Sequence, residues 1–169
     1  MTQAAQQTVA SAKAALAAAE QDLKQSQVET AKEQLREVRA EGHKTAKQIR
    51  GLDNRVRRLD AEITLLQGDL AAFNRAIELH ESARPDVADF PSDEELANHE
   101  AELQRLIADR DALAGSLRTK QMERSRPVLE VLQLNNRLNG LRYTQQNLER
   151  KVRGEPIAGG WEGGIGVPS

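Results

Sequence analysis

From Ala31 to Ile77 one register of the chain returns at alternating steps of four and three: Ala31, Leu35, Val38, Gly42, Thr45, Ile49, Leu52, Val56, Leu59, Ile63, Leu66, Leu70, Phe73, Ile77. Twelve of these fourteen residues are apolar. An apolar return every 3.5 residues on average keeps one stripe of an α-helix turned toward a partner helix. Alternating strands or polar loops do not hold such a phase for so long. The pattern predicts a coiled-coil helix.

Upstream the pattern thins. Nine of the sixteen residues 4–19 are alanine, which gives high helix propensity and little side chain to bury. Leu23 and Val28 stand five apart, so a stutter in the coil is expected near Gln25–Val28. Residues 1–83 are therefore an Ala-rich start followed by the first coiled-coil helix. The helix is expected over 3–83, a length of about 120 Å at ~1.5 Å per residue.

The stretch "ARPDVADFPSDEE" breaks the phase. Arg84-Pro85 stops the helix, because proline lacks the backbone donor and restricts the residue before it. Residues 84–91 are then a hairpin loop. Ser92 and Glu95 form a capping box that restarts a helix, and Asp93 and Glu94 suit its positive end.

A second phase fills residues 92–153: Leu96, His99, Leu103, Leu106, Arg110, Leu113, Leu117, Lys120, Arg124, Pro127, Val131, Leu134, Leu138, Leu141, Gln145, Leu148, Val152. Pro127 falls on the seam, so a kink is expected near 123–127. "NNRLNG" (135–140) contains an Asn-Gly turn signal, but the leucines keep helical spacing through it, which reads as weakened helix.

Two long helices joined by a short loop form an antiparallel hairpin. The predicted fold is all-α: a long antiparallel coiled-coil hairpin with an extended Gly-rich C-terminal tail, residues 154–169. Centring the turn on Ala88 pairs residue i with residue 176 − i. Leu79 then meets Leu96 or Ala97, Leu59 meets Leu117, and Gly51 meets Ser125. The second helix runs out opposite residues 23–24, leaving the Ala-rich start unpaired.

One preference runs against a lone hairpin. With Ile49, Val56 and Ile63 at position a, Leu52, Leu59 and Leu66 fall at d, the arrangement of parallel two-stranded coils. Both hold if hairpins associate through their first helices into bundles of four or six. The residues expected to carry this self-association are Ile49, Leu52, Val56, Leu59, Ile63, Leu66 and Leu70.

Composition narrows the function. The chain has four aromatics, Phe73, Phe90, Tyr143 and Trp161, too few to fill a compact core. Ala, Glu, Lys, Leu and Arg make up about half of it, as in long helices. Cysteine is absent, which removes disulfides and thiolate metal sites. No apolar run approaches the ~18 residues of a membrane span, so no membrane partner is expected. The start, "MTQAAQQ", lacks the basic and apolar regions of a signal peptide, and a cytoplasmic or virion location is expected.

The net charge of −2 hides a strong polarity. Arg36–Arg58 holds eight Lys/Arg and three acids, and Arg118–Arg153 holds nine and three. Asp86–Glu102 holds seven acids and neither Lys nor Arg. The basic shaft offers a polyanion surface, but no aromatics interleave to stack on bases. Nucleic acid is the lesser expectation.

Candidate chemistry is sparse. His80 and His99 approach each other at the hairpin tip among Glu78, Glu81 and Glu100, but their spacing fits no metal motif. His43 stands alone on a polar face. A two-helix rod offers no dry pocket for catalysis, and phosphate-loop, nucleophile-elbow and zinc-protease motifs are missing. No catalytic, cofactor-binding or metal-binding residue is expected, and the chain is read as a non-enzyme without cofactors.

The tail, "GEPIAGGWEGGIGVPS", has six glycines yet keeps Ile157, Trp161, Ile165 and Val167. Glycine loses much entropy on ordering, so apolar groups in such a peptide point to a docking role. Trp161 is the expected anchor, with the other three as its neighbours in a partner's pocket. A long coil ending in a glycine-rich peptide is similar in plan to small structural and scaffolding proteins of bacteriophage particles, a likeness of architecture without a shared motif. The expectation is a structural or interaction protein that self-associates and docks into a larger assembly. The alternatives are a cytoplasmic coiled-coil adaptor or holdase, and a nucleic-acid-packaging protein using the basic shaft.

Overall fold

A computed structural model describes residues 3–155, with side chains from residue 6 onward. It contains two long helices and no strand among those residues: α1, Gln3–Ser82, and α2, Asp93–Arg153. A short 3₁₀ turn, Val87–Asp89, lies between them. The tail residues Ile157, Trp161, Ile165 and Val167 lie outside the described residues.

The chain divides into two units, one of residues 1–47 with 135–169 and one of 48–134. In each, α1 and α2 pack against one another and run antiparallel. In the first unit Arg39 pairs with Glu149 at 2.9 Å and Glu41 with Arg137 at 2.7 Å. In the second, Asp60 pairs with Arg124, and Glu62 with Lys120 at 2.8 Å.

The seam follows the heptad phase closely. All fourteen residues of the Ala31–Ile77 register and all seventeen of the Leu96–Val152 register are buried or half-buried. Ala31, Leu35, Ile49, Leu59, Ile63 and Ile77 form the apolar core, 8% exposed or less. The pairing register is displaced from the midpoint rule. Gly51 and Leu52 share a groove with Glu130 and Leu134, where Ser125 was expected, and Asp60 meets Arg124, where Ser116 was expected. At the tip the stacked His80–His99 pair joins the helices, so this contact and not the centre of the loop sets the alignment there. Leu79, expected opposite Leu96, is 72% exposed, because the seam turns inward Ile77 and His80 on either side of it.

The ends of the helices are closed by local chemistry. The Ser92 N–H donates to Glu95 Oε2 at 2.8 Å, and the Glu95 N–H donates to Ser92 Oγ at 3.2 Å, a completed capping box. Asp86 caps the 3₁₀ turn by accepting from the Ala88 N–H at 3.0 Å. That turn was not anticipated within the loop. Gly154, at φ 71°, ends α2: its N–H donates to Lys151 O and the Glu155 N–H to Arg150 O, a Schellman pair that a left-handed glycine permits. α2 continues through Pro127 without a break, and the proline ring is buried in the seam.

Candidate functional site

The residues expected to drive self-association face the partner helix of their own chain. Ile49, Leu59 and Ile63 are buried there, while Leu52, Val56, Leu66 and Leu70 are half-buried. Each of the last four therefore keeps part of its surface at an edge of the seam.

The tip brings His80 and His99 together, as the hairpin reading expects. Their rings stack with centroids 4.0 Å apart and planes within 12°. His80 Nε2 lies 2.9 Å from the carbonyl oxygen of His99, and His99 Nε2 lies 2.8 Å from that of His80. A carbonyl only accepts, so each imidazole carries a proton on Nε2 and donates across the seam. The pair is thus a reciprocal clasp between helix ends. Among the described residues no cluster of three or more His, Asp or Glu is placed to hold a metal ion.

Beyond the clasp the tip presents Phe90, 91% exposed, and Val87, 81% exposed, beside the acids Asp86, Asp89, Asp93 and Glu94. Phe90 sits in the left-handed region at φ 50°, where its N–H closes the turn on Val87 O at 3.2 Å. An L-residue with a side chain enters that region at some cost, and here the aromatic ring is turned to solvent.

The basic stretches are partly neutralised within the fold. Arg39, Lys120, Arg124 and Arg137 each pair with a carboxylate of the other helix. The Asp60 carboxylate, by hydrogen bond and charge, raises the Arg124 pKa, and Glu62 and then Glu123 raise that of Lys120. Side-chain hydrogen bonds from Gln145 and then Arg39 hold the Glu149 carboxyl below its usual range. These cations serve helix pairing, which lowers the charge left for a polyanion.

Two grooves along the helix pair lie beside glycines. One lies at Gly42, between Val38, Arg39, Leu138 and Leu141, and another at Gly51, beside Leu52 and Leu134. A Cβ added at either glycine meets no atom within 4 Å. No described titratable group with a displaced pKa is concentrated in either groove in the manner of a reaction centre.

Sequence reasoning passed over two exposed apolar sets outside the seam. Met122, Leu129 and Leu132 are 76, 59 and 58% exposed on α2, and Val9, Leu16 and Leu23 are 54, 62 and 60% exposed on α1. The signal was present in the steps of seven, 9–16–23 and 122–129, which run out of phase with the main seam.

Among the described residues no helix is long and apolar enough to cross a membrane. No protein-family model, curated protein or solved structure matches the chain.

Proposed function

We propose that this chain is a non-enzymatic structural protein, an antiparallel coiled-coil hairpin that self-associates and docks through its C-terminal tail into a larger assembly such as a bacteriophage particle. The observation that supports this reading is an imbalance of apolar surface. Six hydrophobic residues are buried among those described, whereas twelve large ones are exposed by 37% or more. Single exposed hydrophobics are ordinary. A pair of helices, however, buries only one stripe from each, and so small a core is marginal without help. Contacts with other chains would cover the half-buried edge at Leu52, Val56, Leu66 and Leu70. Trp161 would anchor the tail, with Ile157, Ile165 and Val167 beside it.

The test is the native mass of the full-length chain, alone and with co-purifying proteins. An oligomer at micromolar concentration is the expected result, and a monomer would overturn self-association. Truncation after Arg153 should preserve helicity and the oligomer while abolishing incorporation into the assembly. Trp161→Ala alone should cause most of that loss. Equal incorporation of the truncated chain would remove the tail as the connector.

A further inference from the structure

Residues 9–27 of α1 lie outside the buried seam. Residues 6–27 are exposed throughout, and burial begins only at Val28 and Ala31. The segment is continuous with the paired part of α1, so the cost of helix nucleation is already met. Along it the large apolar residues Val9, Leu16 and Leu23 stand seven apart, and the small residues Ala12, Ala19 and Ser26 stand three after each of them. This is a second heptad, with large residues at a and small ones at d.

We propose that residues 9–26 are a self-association site at which two copies of this chain pair antiparallel about a two-fold axis. The proposal rests on the self-association reading and names a site for it that differs from the Ile49–Leu70 stripe. In an antiparallel coil each a position meets a d position of the other helix. Val9 then lies opposite Ser26, Ala12 opposite Leu23, and Leu16 opposite Ala19, and the two-fold axis repeats these layers. Every layer joins one large and one small residue, so layer volumes are even and the helices can approach closely along the whole segment. A parallel pair would alternate large-on-large with small-on-small layers.

The flanking charges select the same partner. Antiparallel pairing sets e positions against e positions, which places Lys13 opposite Glu20 of the second copy, and Glu20 opposite its Lys13. The opposite flank sets Asp22 against Ala15 and brings no like charges together. Parallel pairing would set Asp22 against Gln27 and Ala15 against Glu20, with no ion pair. Size and charge thus both complement a second copy in one orientation. Six layers span about 27 Å of helix at ~1.5 Å per residue.

The chain has no cysteine, so disulfide trapping in the full-length protein reads the geometry directly. The Ala12→Cys and Leu23→Cys variants should crosslink when mixed and remain uncrosslinked separately. Crosslinking of each variant with itself would show a parallel pair, and no crosslink in any mixture would show that the segment serves another partner; both results overturn the proposal. Leu16→Asp, at a position 62% exposed, should leave the unfolding midpoint of the helical pair unchanged and weaken the dimer by about thirtyfold or more. Lys13→Glu should weaken it too, and adding Glu20→Lys should restore it. A wild-type monomer sinks this site and the broader reading together. An oligomer that Leu16→Asp leaves intact sinks this site alone and returns self-association to the Ile49–Leu70 stripe.

Discussion

Residues 6–27 and residues 31–77 belong to one helix, yet they are helical for different reasons. The first stretch is exposed at every position and is rich in alanine. Its helicity comes from backbone propensity and from continuity with the turns that follow. The second holds its helix by side-chain burial: Leu35, Ile49, Leu59, Ile63 and Ile77 are 8% exposed or less against α2. Propensity needs only the right residue types, whereas pairing needs the right period. One helix therefore contains a segment whose partner lies within the chain and a segment whose partner, on our proposal, is another copy.

The largest expected effect separates the two stretches by one kind of substitution. Leu59→Ala, at a site 6% exposed, removes packed methyl groups and should destabilise the pair by about 2–5 kcal/mol. Leu23→Ala, at a site 60% exposed, should change the same equilibrium by less than about 0.5 kcal/mol. Urea unfolding at concentrations below any self-association measures both. Equal losses would mean that residue 23 is covered within the chain, and the contrast would collapse.

That contrast was largely legible in the sequence. The 3-4 spacing located the seam because burial on a helix depends on angle, and angle follows directly from residue number. Gly42, Thr45, Arg110, Lys120 and Arg124 were placed in the seam on phase alone, and each is buried or half-buried. Orientation was legible in the shortness of the loop, although not in the seam residues. The β-branched a positions favour parallel coils, but the loop of 83–92 joins the helices, and within each unit they run antiparallel. The register was legible only to about two turns, because it depends on contacts that no periodicity encodes. The His80–His99 clasp is the clearest case. Both histidines were expected at the tip, but the reciprocal donation to backbone carbonyls requires their relative heights. The apolar heptad at 9–16–23 was overlooked because alanine dominated the composition around it. The docking residues of the tail lie outside the described residues.

A medium effect tests how well the paired stretch is optimised. Thr45 is fully buried, and its Oγ1 meets no hydrogen-bond partner. A buried hydroxyl without a partner keeps its desolvation penalty, typically about 1–3 kcal/mol. Thr45→Val keeps the branched shape and removes that group, so it should stabilise the pair by about 1 kcal/mol or more. Thr45→Ser keeps the hydroxyl, loses a methyl, and should destabilise. A loss of stability in Thr45→Val would show that the hydroxyl is satisfied in solution. On the exposed stretch no such gain exists, since water already solvates its polar groups.

The smallest expected effect concerns two carboxylates, Glu29 where the exposed stretch gives way to the paired one, and Glu149 on the helix that pairs with it. Glu29 is held below its usual pKa by the side-chain hydrogen bond and charge of Lys32, at 2.8 Å on the same helix. Glu149 is held below its usual pKa by Gln145 first and Arg39 second, and Arg39 reaches it from the other helix. A carboxyl whose folded pKa is depressed contributes stability above its unfolded pKa and loses that contribution as pH falls through the folded value. Both pairs should therefore be intact at pH 7 and vanish on the acid side of the usual carboxylate range. They should differ in what they report. The Arg39–Glu149 pair links α1 to α2, so Glu149→Gln should lower the unfolding midpoint slightly at neutral pH, with the difference from wild type closing as the solution is acidified. The Lys32–Glu29 pair closes within one turn of α1, so Glu29→Gln should slightly reduce helicity and leave the unfolding of the pair unchanged. Exposed ion pairs contribute little, so the comparison must be made at low salt, where screening is weakest. A gap for Glu149→Gln that stays constant from neutral to acid pH would show that the carboxylate's charge does not help hold the two helices together. A Glu29→Gln effect on pair unfolding as large as that of Glu149→Gln would show that the start of α1 is coupled to the seam, and the division between a propensity-held and a packing-held stretch would have to move toward the N-terminus.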